Sequence, residues 1–377
     1  MLLLRCLLLA SIIPVASIAS QSVLTVGLLG QFADVPAAVA AAQPGDTVRL
    51  LPWPHLQLFT APVITRGLTL DGGGTHGLVG LTVISGVPAG EAVVMYGFRY
   101  PSNQVVEVRV VDCDGRVHLD SLWTVNSTTG VWPSTSIEVI RSGAVSLRAV
   151  ATHGSPAVSV VDSTLTIDHC MLGRRAGGIQ AGGRCVEGLR STILISQPDA
   201  RAGDVPVSAI FVDQCDVTIA GRALAGGSGS IYGGLASPLQ FPALEGINST
   251  LTLSPAVFIV GAVAGFTATM REPPYNWAYS GSPAGTASLY TYGPVGDIGI
   301  AALTLPVVPV PSPFGDLWVD PGTLAAYPFV LNSTGSHYLI VAVPIGIPVG
   351  SAWTLQGVVL TNGNLDLTLP STFAVRN

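Results

Sequence analysis

The chain has 377 residues and a mass of 38.6 kDa, enough for two domains and a large core. Charged residues are only 10% of it, while Gly (44) and Pro (28) are plentiful, so solvated helical faces are scarce, turns are frequent and an all-β fold is favoured. The net charge of −6 rests on 16 arginines and no lysine, scattered except for Arg174-Arg175, which excludes the basic patch that nucleic acid needs and removes lysine as a base or Schiff-base former.

Residues 1–20, MLLLRCLLLASIIPVASIAS, place one Arg before an apolar run and end in small residues. This predicts a signal peptide, cut near Ala19 to Gln21, and a secreted or cell-surface protein. The alternative is an uncleaved anchor, but the run is shorter than the ~20 residues that span a bilayer. Next comes FADVPAAVAAAQPGDTVRLLP (32–52), which predicts one short helix over 35–42 with Asp34 as N-cap, a turn at QPGD and a first strand. From 63 to about 270 one theme repeats: four to six residues rich in Val, Ile, Leu and Thr, then a Gly, Asp or Ser turn. GLTLDGGG (67–74), VVEVRVVDCDG (105–115), AVSLRAVATHG (144–154) and STLTIDHCMLG (163–173) are examples, with no helical pattern between them.

VSLRAV at 145 and LTIDHC at 165 lie 20 residues apart, and CDVTIAG follows at 215. A repeat of roughly 20 to 25 residues without a helix per unit predicts a β-solenoid, in which only the stack buries a continuous core. A solenoid end exposes unpaired backbone and core side chains, and the alanine-rich helix is suited to cover it. The uncharged stretch 246–270 contains Asn, Ser, Pro and Gly and alternates, so buried strands are expected there and not a membrane helix. After 270, REPPYNWAYSGSPAGTA reads as a link, and SLYTYG, DIGIAALTL, HYLIVAVPIG and AWTLQGVVLT as strands of a small β-sandwich. The alternative is that these strands extend or cap the solenoid. The predicted organisation is a signal peptide (1–20), a solenoid (21–270), a linker (271–285) and a C-terminal sandwich (286–377).

Cys113, Cys170 and Cys215 stand in like settings, VVDCDG, TIDHCML and VDQCDV, 57 and 45 residues apart. Each is expected to point into the core at one equivalent corner. Disulfides are the alternative, with Cys185 able to pair with Cys170 in an exported protein. A metal site is disfavoured, because cysteine ligands cluster at close spacing.

FADVPAAVAAAQPGDTVRLLP followed by ITRGLTLDGGG resembles the opening segment of right-handed parallel β-helix proteins of the pectate-lyase-like superfamily. The resemblance is specific over 32–74 and diffuse to about 270. It departs after Pro52, where WPHLQLF replaces the usual Gly and Tyr. It implies a right-handed parallel β-helix whose Ala-rich helix caps the first coil. The tail, with VPIGIPVG and WTLQGVVL, resembles C-terminal β-sandwich modules of exported bacterial proteins, which implies nothing catalytic.

β-Helix enzymes that cleave polysaccharides work along an open face, and carboxylates roughly 5 to 9.5 Å apart suit glycoside hydrolysis. Coils spaced by about 4.8 Å can supply that separation. The candidates are Asp112 with Asp114, Asp120, Asp168 with His169, and Asp213 with Asp216, together with Arg109, Arg148 and Arg190. Asp112 and Asp114 would share a face if extended, but DCDG is equally a turn in which Asp bonds its own backbone. The paired motifs of polygalacturonases are missing, and THG occurs at Thr75 and Thr152 without partners. DGGGTHG (71–77) fails as a phosphate loop, since no Lys-Ser/Thr follows, and is read as a turn. Three NST sequons begin at Asn126, Asn248 and Asn332 and matter only in a eukaryotic secretory route.

No catalytic, cofactor-binding or metal residue is assigned, and no cofactor is expected. The expected function is an exported non-catalytic β-helix with a structural, adhesion or carbohydrate-contact role. The alternative is a polysaccharide lyase or glycoside hydrolase using the solenoid groove. A row of exposed Asp, Arg and aromatic residues on consecutive coils would favour the enzyme, and a groove of Thr, Ser, Ala and Gly the rod. The expected partner is a polysaccharide or cell-surface component, with no nucleic acid, no membrane after signal cleavage, and a monomeric chain.

Overall fold

A computed structural model describes residues 21–375 apart from 53–54, 56, 101–106, 125–134, 153–155, 173–183, 197–198, 202–207, 222–223, 227–241, 256, 261, 272, 281–284, 313–314, 321–323, 344–346, 348–350 and 362. The predicted signal peptide, Arg174-Arg175, the Asn126 sequon and part of WPHLQLF lie outside the described residues.

The solenoid is built from short alternating words that pair in parallel with the same word one coil away. VHLD, VSLR, LTID and TILIS stack with Val117, Val145, Leu165 and Ile193 in one inward column and Leu119, Leu147, Ile167 and Ile195 in the next. All eight are buried. A second face stacks Val108–Val111, Ile137–Ile140, Val158–Val161, Val186–Leu189 and Ile210–Asp213 in the same way. Each of these strands turns two apolar positions into the stack, so one coil alone has no core and each coil depends on its neighbours. A third, shorter face completes the coil with strands such as Ala151–Thr152 and Met171–Leu172. The all-β parallel β-helix expected from the sequence is present.

The corner after the second face repeats one device. Asp112 (φ 53), Arg141 (φ 44), Asp162 (φ 50), Arg190 (φ 46), Gln214 (φ 54) and Asn248 (φ 47) all adopt the left-handed conformation. The following residue is Cys113, Ser142, Ser163, Ser191, Cys215 or Ser249, and these form a ladder. Ser142 Oγ accepts from the Cys113 amide at 3.2 Å, Ser163 Oγ from the Ser142 amide at 3.0 Å, and Ser249 Oγ from the Cys215 amide at 3.0 Å. Each serine hydroxyl also donates to the carbonyl two residues back. Cysteine is therefore a rung of a serine ladder.

This corrects the expectation of one corner for three cysteines. Cys113 and Cys215 share this corner, but Cys170 follows His169 (φ 52) at the other corner, after the strand Thr164–Asp168. Both corners place a small buried residue after a left-handed one, so their sequences look alike. All four described cysteines are free and buried. Burial pushes the Cys170 thiol up to about 12.

Equivalent ladder positions are 21 to 34 residues apart, a wider range than the sequence suggested. The longer coils gain their residues at one place, before the second-face strand: between Thr124 and Ile137, Leu172 and Val186, and Gly226 and Leu244. DGGGTHG is not a separate turn, because the strand Thr69–Val79 runs through it and bends at Gly73 (φ 63) and Gly74 (φ 73). Gly72 is required there, since a Cβ would lie 2.6 Å from the Gly97 carbonyl oxygen.

The helix Val35–Ala41 caps the first coil. Asp34 is its N-cap, accepting from the Ala37 amide at 2.8 Å, and Val35, Ala38 and Val39 are buried. The QPGD turn is held by Asp46, which accepts from the Gln43 amide at 2.8 Å and the Ser22 amide at 2.9 Å. The opposite end differs from expectation. The strand Val263–Met270 pairs with Leu244–Leu253 as the last of the stack, and its residues are exposed, not buried, apart from Phe266, which is partly buried against the core. No helix among the described residues is long and apolar enough to cross a membrane.

Beyond Met270 the strands pair antiparallel with one another. Tyr275–Ser280, Thr286–Tyr292 and Ser336–Ala342 form one sheet, and Ala325–Val330, Ile298–Thr304, Ala352–Thr361 and Asn364–Leu367 another, with Ser371–Ala374 added to Ala352–Thr361. Ala278, Leu289, Leu303, Phe329, Leu355 and Phe373 lie in their shared core. Tyr275–Ser280 already belongs to this unit, within the stretch read as a linker, and Arg271 is tied to it through Asp366 at 2.8 Å. The sandwich lies on the solenoid face that carries VHLD, VSLR and LTID, where Ala352 and Ala374 meet Val94 and Tyr96, and Tyr275 and Leu369 meet Ala220.

Candidate functional site

The outward positions of that covered face bring together candidates scattered in sequence. Tyr96, Asp120, Arg148, Asp168, Ser196 and Ala220 occupy one column on successive coils. Asp120 and Asp168 are two coils apart, with about 10 Å between their backbones, and Arg148 stands between them. Arg148 Nη1 lies 3.3 Å from Asp120 Oδ2, and His118, two residues earlier on the same strand, places Nε2 3.8 Å from that atom. His118 Nδ1 bonds Ser146 Oγ at 2.8 Å. Asp168 accepts from Ser196 Oγ at 2.8 Å and from Ser371 Oγ of the sandwich, also at 2.8 Å.

The sandwich seals this row. Asp120 is 0%, Arg148 7% and Asp168 2% exposed. Burial raises the Asp168 carboxyl above its ordinary range, against the nearby Arg148 charge and the two serine hydroxyls, which act to lower it. The arrangement is an aligned charge row of the kind an enzyme face carries, but it has no solvent path for a polymer.

The other candidates are separated. Asp112 takes the left-handed corner and pairs with Arg141 at 2.6 and 2.9 Å, so it does not share an extended face with Asp114. Arg190 pairs with Asp162 at the equivalent corner, at 2.6 and 2.8 Å. These four form an exposed ridge of alternating charge, and the hydrogen bond from each Arg holds Asp112 and Asp162 below the usual carboxylate range. Arg109 pairs with Glu138 at 2.5 Å on the second face. Asp213 ends a second-face strand and Asp216 opens a covered-face strand, with a corner between them. Among the described residues no group of three His, Cys, Asp or Glu side chains is placed to hold a metal ion.

Two features were not singled out from the sequence. His118 and Ser146 belong to the row, and the signal was the alignment of VHLD with VSLR and LTID. The second is an aromatic row on the three-stranded sheet. Trp277, Tyr290 and Tyr338 are register partners, with ring centroids 4.8 and 4.5 Å apart, and His169 of the solenoid stacks on Trp277 at 5.8 Å. Tyr338 ends the row, 48% exposed. Aromatic residues at every second position of YNWAY and LYTY were the available signal.

The fold and this face define a parallel β-solenoid with a helical cap and a C-terminal sandwich seated on one side. No family model matches the chain, and no curated protein does. Among solved structures the chain is similar to the enzymatically active domain of bacteriophage CBA120 tailspike protein 4, at 9% identity and a TM-score of 0.19. The match covers 91% of this chain and 66% of that one, and at that score it carries no weight on function.

Proposed function

We propose that the protein is an exported, non-catalytic β-helix with a structural, adhesion or carbohydrate-contact role. The observation that carries this reading is the burial of Asp120, Arg148 and Asp168 beneath the sandwich. Carboxylates aligned on successive coils are the means by which such a face would cleave a glycosidic bond, and here a second domain occupies the place of the polymer. The exposed charges at the second-face corner are spent on one another as ion pairs. Carbohydrate contact is assigned to the aromatic row ending at Tyr338, whose exposed ring offers a surface on which a sugar can stack. Membership of the pectate-lyase-like superfamily and of an exported bacterial sandwich family belongs to the same proposal.

One observation favours the second reading, a lyase or hydrolase: the row is aligned at all, and an enzyme would result if the sandwich left it. The test is incubation of the purified protein with acidic and neutral polysaccharides, with Ca²⁺ or EDTA, following new reducing ends and absorbance from unsaturated products. No product is expected, with retention of the chain on one or more of the polysaccharides and loss of that retention in Tyr338→Ala. Calcium-dependent unsaturated product would replace this reading with the lyase.

A further inference from the structure

We infer a binding site for a small polyhydroxylated monocarboxylate in the cleft where the first coils of the solenoid meet the sandwich. The cleft has a volume of about 320 Å³ and takes residues from both units, Glu91 and Arg116 from the solenoid and Leu305 and Ser351 from the sandwich. That size lies at the lower end of small-molecule sites and suits a ligand no larger than one sugar acid.

Arg116 points to the ligand. It opens the strand Arg116–Thr124, beside Ala92. Its Nε is buried and has no hydrogen-bond partner among the described residues. Asp320 of the sandwich attracts it through space, yet burial dominates and pulls its pKa below the ordinary arginine value. A guanidinium presents five donors and stays charged, and on this half-buried side chain the covered Nε is left unmatched unless an anion or water completes it. The buried arginine described above, Arg148, has Asp120 at 3.3 Å; Arg116, with Asp320 acting on it through space, lines the cleft.

The rest of the lining sets the ligand class. A carboxylate can take the guanidinium in a two-point bond. Glu91 spends Oε2 on the Gly67 amide at 2.5 Å, which leaves its other oxygen to accept from a ligand hydroxyl. Thr69 and Ser351 bring hydroxyls to the lining. With Glu91 and Asp320 both negative nearby, a dianion such as phosphate is disfavoured against a monoanion. Leu305 gives the carbon chain an apolar wall. A ligand held here touches both units at once and would brace the sandwich on the solenoid. This site is separate from the covered row and from the aromatic row, and it stands whether or not the chain is catalytic.

The experiment is thermal unfolding and calorimetric titration of the full mature chain with gluconate, glucose and inorganic phosphate at fixed ionic strength. Gluconate is expected to bind one to one and raise Tm, and glucose and phosphate are not. Arg116→Met should weaken gluconate binding at least tenfold while the circular dichroism stays that of the parent. If Arg116→Met does not fold, Ser351→Phe fills the cleft while keeping the arginine and should abolish the shift. No shift with gluconate, a shift that survives either variant, or a larger effect of phosphate or glucose would each overturn the site.

Discussion

Arg148 is the residue on which the covered face turns. It is the cation between two buried carboxylates, and its Nε has no partner among the described residues, so its place depends on charge more than on a full set of hydrogen bonds. Removing it takes the arginine's charge from a buried Asp120 and leaves that carboxylate to the Ser121 hydroxyl at 3.0 Å and to His118. Arg148→Met should therefore lower stability by about 3–5 kcal/mol in urea unfolding, and adding Asp120→Asn should recover part of the loss. A double variant that costs the sum of the two singles would mean that the pair is not coupled. Asp120, Arg148 and Asp168 were all legible in the sequence as candidates, because each ends a recognisable strand word. Their burial was not legible. The residues that cover them lie about 200 positions away, as the 203-residue separation of Asp168 and Ser371 shows, and nothing local in either segment records that contact.

At the scale of the element, the serine and cysteine ladder explains why the coils keep register. Each rung gives its oxygen or sulfur to the amide of the coil before and returns its proton to its own chain, so a coil shifted by one residue would break the bond between coils. Ser163→Ala leaves the Ser142 amide buried without an acceptor and should cost about 1–3 kcal/mol. Ser163→Cys should cost less, since Cys113 and Cys215 already serve as rungs. Thermal unfolding of the two variants side by side tests this, and equal losses would show that the ladder contributes no more than space filling. The capping helix was legible almost to the residue, because Asp34, Pro36 and the alanines are local signals that local geometry obeys. The ladder was missed because its logic runs between coils. Asn248 illustrates the point: read as a sequon, it serves as a left-handed corner, with Ser249 as the rung.

For the whole molecule, the seat of the sandwich on the solenoid is expected to depend on pH through Asp168, which accepts from Ser371 Oγ across the junction at 2.8 Å. Its carboxyl is raised by burial, so the folded chain holds the proton more tightly than the unfolded one. Its contribution to stability is therefore fully present below the unfolded value, about 3.9, and is lost as pH rises through the raised folded value. Asp112 and Asp162, held low by Arg141 and Arg190, act in the opposite direction: their contribution is present above about 3.9 and lost as pH falls through their folded values. Comparing Tm against pH for the parent and Asp168→Asn isolates the buried group, since the ridge is common to both. The parent should lose stability relative to the variant as pH rises above about 4, and parallel profiles would show that Asp168 does not titrate with the junction.

Coils whose rungs stand 21 and 34 residues apart keep the same register, and the difference in length falls in one interval, between the third-face strand and the next second-face strand. Length variation in that interval is thereby uncoupled from the hydrogen-bonded frame. The molecule is a chassis: its frame can be held constant while the chain length between described strands changes, without the fold having to be solved again.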